Sequence, residues 1–161
     1  MYAAVGQNFK SPLFFVPPSP PEGTKAHKCK GGFKAEHYIE MMRQLKPYLD
    51  EHYPKGDYVI VRDHAKQHIA KVSENAINEM GMHDLNDYTP QIWDMNILET
   101  IWGVFRGNIT GKTAKTTDGW YAVYRKAWAE VQQSTIEENV VGMQARLKSI
   151  IEAEGKWVPH H

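Results

Sequence analysis

The sequence predicts an α/β fold in one domain, on three observations. Short runs rich in β-branched and aromatic residues alternate with longer stretches of helical period, in the order strand, strand, helix, strand, helix, strand, helix. The runs are separated by turn signals, such as Pro54-Lys-Gly56 before Tyr58–Asp63 and Gly81 after a helical stripe. Finally, 161 residues with 42% hydrophobic and 24% charged content suit a single domain that buries a real core.

Taken in order, Tyr2–Val5 and Leu13–Val16 read as short strands, joined as a hairpin through Gly6-Gln-Asn-Phe-Lys10. Pro17-Pro-Ser-Pro-Pro21 imposes an extended, polyproline-like segment, and Glu22–Gly32 adds Lys25, Lys28 and Lys30 to make residues 17–34 a Pro-rich, basic surface loop. Ala35–His52 reads as a helix with Tyr38, Ile39, Met42, Leu45 and Leu49 on one face, and Pro47 is expected to kink or shorten it. Tyr58–Asp63 has the composition of a buried strand, and a helix pattern begins at His64. Ile69, Val72, Ala76, Ile77 and Met80 continue that stripe to Gly81, and Met82–Leu85 is a further short strand.

Asn96 is a good N-cap with Glu99 at the capping-box position, so a helix is expected from about Asn96 with Ile97, Leu98, Ile101, Trp102, Phe105 and Ile109 on its apolar face. Two more helices occupy residues 116–154. The first carries Trp120, Val123, Tyr124, Ala127, Trp128 and Val131. The second carries Ile136, Val140, Met143, Leu147, Ile150 and Ile151, opened by Ser134 and Glu137 as a capping box.

Composition narrows the function classes. Lys plus Arg equals Asp plus Glu at 19 each, so no global field draws the chain to a polyanion and phosphate contacts must come from local patches. One cysteine, Cys29, forbids an internal disulfide framework and fits a reducing compartment. Its neighbours His27 and His37 match no standard zinc spacing. No apolar run approaches the roughly 18 residues of a membrane span, and no signal sequence opens the chain, so the expectation is a soluble, intracellular protein without membrane partners. The terminal His160-His161 is set aside as a possible tag remnant.

Two acids stand out. Asp63 is expected at the carboxyl end of a strand, where open α/β sheets bind ligands, and Glu99 in the first turn of a later helix. Carboxylates so placed suit a hard divalent cation, which magnesium chemistry pairs with substrate phosphates. Each also has an ordinary role: Glu99 as a capping-box glutamate, Asp63 as a turn former. Gly107-Asn-Ile-Thr-Gly-Lys112-Thr113 imitates a phosphate-binding loop but has one residue too few between its glycines and no preceding strand, so it reads as a helix end and a polar turn.

Asp63-His-Ala-Lys-Gln-His68 resembles the D-N-A-x-x-H motif of the mariner-like transposases, whose catalytic domain carries a D,D,E or D,D,D triad. Tyr88–Glu99 is similar, without a gap, to that family's Y-P-P-Q-S-P-D-L-N-P-I-E: Pro90, Gln91, Asp94, Asn96 and Glu99 match, while Ile92, Trp93 and Ile97 differ. Trp102-Gly103 matches the W-G that follows, and 35 residues separate the two acids, close to the family's spacing. Gly142-Met-Gln-Ala-Arg146-Leu147 resembles its S-M-P-R-R-L, and Met1–Val16 its second and third strands.

The resemblance implies a ribonuclease-H-like core and metal-dependent DNA cleavage and strand transfer, with two Mg2+ or Mn2+ ions between three carboxylates activating a water or a DNA 3′-hydroxyl. Asp63 and Glu99 would be catalytic metal ligands, His64, His68 and Asn96 their neighbours, and Lys25, Lys28, Lys30, Arg106 and Lys112 candidate DNA contacts. The family's first aspartate lies on a strand before the one that Tyr2–Val5 resembles. The expectations are therefore a partial domain that needs an upstream segment, an incomplete sheet, weak metal binding and impaired activity alone. Three arrangements are expected for such a sheet: the hairpin pairs with the Tyr58 strand, another chain fills the gap, or the molecule is mostly helical with a frayed hairpin. The alternative function is a non-catalytic, domesticated remnant that binds DNA or oligomerises. Partners would be DNA and either a second copy or the missing amino-terminal segment, in the nucleus if the host is a eukaryote. His64 and His68 have an ordinary reading as helix-start polar residues, Trp102 as core, and the stripe of Trp120, Tyr124 and Trp128 as core rather than a base-stacking platform.

Overall fold

The structure is a computed structural model that describes residues 1–16, 33–63, 65–85 and 96–154. It is mixed α/β and mostly helical. Among the described residues it has five helices, α1 (Ala35–His52), α2 (Lys71–Glu79), α3 (Ile97–Ile109), α4 (Thr117–Ala129) and α5 (Gln133–Glu152), and one two-stranded antiparallel sheet of β1 (Val5–Gly6) and β2 (Phe9–Lys10). Of the three expected arrangements, the mostly helical one is nearest, although its hairpin is formed rather than frayed. The chain packs as two compact units, one formed by Met1–Ala3 and Phe14–Pro90, the other by Ala4–Leu13 and Gln91–His161.

The first unit is built on α1, which packs against α2. Tyr38, Ile39, Met41, Met42, Leu45 and Leu49 recur three and four residues apart and are buried, with Ile77 from α2 and Met82 beside them. Lys34 caps α1 in an unusual way, its backbone N–H donating to His37 Nδ1 at 3.2 Å. Pro47 neither ends nor shortens the helix, contrary to expectation. The carbonyl it leaves without a helical donor belongs to exposed Arg43, which water can serve, while buried Leu45 and Leu49 anchor the turns on either side.

The helix expected from His64 begins only at Lys71. Residues 65–70 are spent on turns, in which His68 and Ile69 donate to the Ala65 carbonyl and the Ser73 hydroxyl donates to Gln67 O at 2.7 Å. The inner face of α2 is consequently Ser73 and Ile77, while Ile69 and Val72 of the expected stripe are exposed. Gly81 terminates it as anticipated, at φ +66, where a residue without Cβ is favoured.

The strands of this unit are the largest departure. Tyr58–Asp63 is extended but is not a buried strand. Ile60 makes a single parallel bridge to Asp84, its N–H donating to His83 O at 2.8 Å and its carbonyl accepting from Leu85 N at 3.0 Å. With one neighbour, the run buries only one side, so Val59 and Val61 are 58% and 51% exposed. Met82–Leu85 contributes that bridge and no more, and Leu13–Val16 is likewise reduced to one antiparallel bridge between Phe14 and Tyr2.

In the second unit the hairpin is tighter than expected. Val5 pairs with Lys10 and Gly6 with Phe9, so residues taken for the connection are the ladder itself, and Asn8 turns the chain at φ 60, a conformation asparagine tolerates. Helix α3 packs against α4 and α5. Ile101, Phe105, Ala127, Trp128, Val131 and Ile136 are buried with Phe9 and Leu13. Trp102 lies against Phe105 and Trp128 at ring distances of 5.5 and 5.4 Å, and Trp120 stacks on Tyr124; of the stripe read as core, Trp128 is buried while Trp120 and Tyr124 are half-buried. Trp128 Nε1 donates to Ser11 O at 2.8 Å, and Lys10 Nζ closes the carboxyl end of α4 by donating to Trp128 O and Val131 O. Helix α5 starts at Gln133, one residue ahead of the proposed cap, so Ser134 lies inside the first turn rather than capping it.

Candidate functional site

Asp63 lies at the end of the extended run, in the first unit, with its side chain 64% exposed. One of its carboxylate oxygens has two close neighbours. Oδ1 accepts the Ala65 backbone N–H at 3.2 Å, an Asx turn, and lies 2.6 Å from His68 Nδ1. His68 Nδ1 is also 3.3 Å from the Asp63 carbonyl. The imidazole is buried, with its ring 4.3 Å from that of Tyr38, and its Nε2 has no hydrogen-bond partner among the described residues. His68 is thus fixed by packing on one side and by Asp63 on the other.

Behind this pair lies a network the sequence reading missed. Arg62 donates through Nε to Asp84 Oδ2 at 2.7 Å, forms a second, very short bond through its terminal nitrogen, and donates to the His68 carbonyl. Both members of the Arg62–Asp84 pair are 11% exposed. The guanidinium also sits 5.7 Å from the centre of the Tyr38 ring. Burial pushes the Tyr38 phenol up to about 12; Arg62 opposes that rise, and Asp84 and Asp63 add to it. Tyr2 is also pushed up to about 12, by burial first and then by Asp63 and Tyr38. The one available signal was Arg62 itself, a charged residue inside a β-branched run on the same side as half-buried Tyr58 and Ile60.

Glu99 belongs to the second unit, in the first turn of α3. Its position is set by Asn96, whose side-chain oxygen accepts the Leu98 N–H at 3.1 Å while its carbonyl accepts that of Glu99. Asn96 is therefore a cap, as its sequence position suggested. The Glu99 side chain is exposed and, among the described residues, makes no hydrogen bond or ion pair. Arg106 is exposed in the last turn of α3, and Lys112 follows in a polar turn through Gly111 at φ +74. His64, Lys25, Lys28, Lys30, Cys29 and the motif residues Tyr88–Met95 lie outside the described residues.

As ligands, Asp63 and Glu99 are exposed oxygen donors of the kind hard divalent cations take, and Asp63 already has one oxygen tied down and the other open. Among the described residues no group of three or more His, Cys, Asp and Glu side chains is clustered, and no helix is long and apolar enough to cross a membrane. Compared with protein-family models and with curated proteins, the sequence matches none of them.

Proposed function

We propose that the chain is part of a DDE-type catalytic domain, on a ribonuclease-H-like core, that cuts and joins DNA strands with Mg2+ or Mn2+. The observation that carries this reading is the gapless run Tyr88–Glu99, whose Glu99 is separated from Asp63 by 35 residues. Local structure supports it in two ways. The extended run ending at Asp63, helix α2 and the single parallel bridge from Ile60 to Asp84 follow the path of a strand–helix–strand crossover, whose carboxyl ends are where open sheets bind ligands. Asn96 fixes the first turn of α3, so Glu99 leaves a defined backbone position.

In this reading a divalent cation would supply Lewis-acid stabilisation of charge on the phosphodiester. Asp63 and Glu99 would hold it, a third acid coming from an earlier strand in the family resembled. Arg106 and Lys112 would be candidate contacts to the DNA backbone, adding salt-dependent affinity without sequence preference.

Calorimetric titration of the chain with MnCl2 tests the reading. Binding lost in both Asp63→Ala and Glu99→Ala, with folding intact by circular dichroism, supports it; absence of binding, or binding indifferent to both substitutions, defeats it.

A second reading, a non-catalytic module that self-associates, is favoured by one feature of α5. Its apolar stripe begins at fully buried Ile136 but ends at Leu147 and Ile151, which are 42% and 73% exposed. A sedimentation measurement giving a dimer that Ile151→Glu dissociates, together with no response to Mn2+, is the outcome for that module.

A further inference from the structure

Resting on the metal-site reading above, we propose that His68 is a positioning residue for Asp63: its Nδ1–H holds Oδ1 so that the second carboxylate oxygen is presented to a divalent cation. Four observations converge on this role. His68 Nδ1 lies 2.6 Å from Asp63 Oδ1, within ion-pair range, and 3.3 Å from the Asp63 carbonyl. The Ala65 N–H donates to that same oxygen, so Oδ1 is the oxygen that the local structure engages. The imidazole has little freedom, being buried against Tyr38 with its backbone carbonyl held by Arg62. Finally, the Asp63 side chain is mostly exposed, so a cation can reach it from solvent.

A free aspartate samples several rotamers, and a cation binding it must halt that motion. A side chain already locked by a rigid donor has met this cost in advance. The unpartnered Nε2 sharpens the assignment, because only Nδ1 has a task. Hydrogen bonds that orient a ligating carboxylate are commonly worth about ten- to hundredfold in metal affinity.

Two substitutions of similar polarity separate orientation from simple space filling. His68→Asn places an amide N–H where Nδ1 stands, whereas His68→Gln places its amide one bond further out, where Nε2 stands. The first readout needs no metal: three-bond Hα–Hβ couplings of Asp63 measured by NMR. A single rotamer is expected in the unaltered chain and in His68→Asn, and rotamer averaging in His68→Gln. The second readout is Mn2+ affinity, expected to fall about ten- to hundredfold in His68→Gln and to be kept within a few-fold in His68→Asn. Equal couplings in all three proteins overturn the positioning role whatever the metal does. Mn2+ binding that is lost in Asp63→Ala but unchanged in His68→Gln overturns it while leaving the metal site standing. Binding that survives Asp63→Ala overturns the metal site itself, and this proposal with it.

Discussion

Asp63 and Glu99 are both exposed carboxylates, yet they are held in opposite ways. Asp63 sits on a thinly paired segment, one bridge wide, and its side chain is fixed by a buried histidine five residues on. Glu99 sits on a capped helix whose inner face is fully buried at Ile101 and Phe105, and its side chain has no such restraint among the described residues. In one case the backbone is weakly supported and the carboxylate is oriented; in the other the backbone is firm and the carboxylate is free to swing. Substitutions near Asp63 should therefore change how it binds, whereas substitutions near Glu99 should first change how stable its helix is.

The largest effects are expected where each acid's support is buried. Phe105→Ala, beneath α3, should cost about 3–5 kcal/mol in urea unfolding, since a fully buried aromatic leaves a cavity. On the Asp63 side, Arg62→Ala should cost a comparable ~3–5 kcal/mol by leaving Asp84 buried and unpaired, while replacing both partners with apolar residues should recover most of that loss. If the double replacement is as damaging as the single one, the network does more than neutralise its own charges.

A pH effect of intermediate size belongs to the Asp63 side. The Tyr38 phenol titrates near 10 when unfolded and at about 12 when folded, so the folded form retains its proton longer as pH rises. Stability from this group is complete below about pH 10 and is lost between 10 and about 12, by roughly 2–3 kcal/mol. Tyr38→Phe should flatten that alkaline limb in a series of melting curves. The smallest effect is on the Glu99 side: Asn96→Ala should cost about 1 kcal/mol by uncapping α3, with the thermal midpoint as readout.

The same contrast explains what could be read from the sequence. The Asn96 cap, the Gly81 stop and the aromatic stripe from Trp120 to Trp128 are decided within a turn or two of helix, so they were legible. A strand is decided by its neighbours. Tyr58–Asp63 has strand composition, but its burial depends on partners distant in sequence, and only Ile60 finds one among the described residues. The helix expected at His64 failed for a local reason that competed with periodicity: Asp63 and Ser73 bind nearby backbone groups and keep residues 65–70 in turns. Asp63 and Glu99 were legible as acids at the expected positions, while the grip of His68 on Asp63 follows from a turn that periodicity does not encode.

That the two acids share one cation is tested most directly by paramagnetic broadening. With a substoichiometric amount of Mn2+, amide signals of Ala65 and of Leu98 should broaden together, and both should recover in Asp63→Ala. Broadening confined to one of the two, or to neither, would contradict a common metal site.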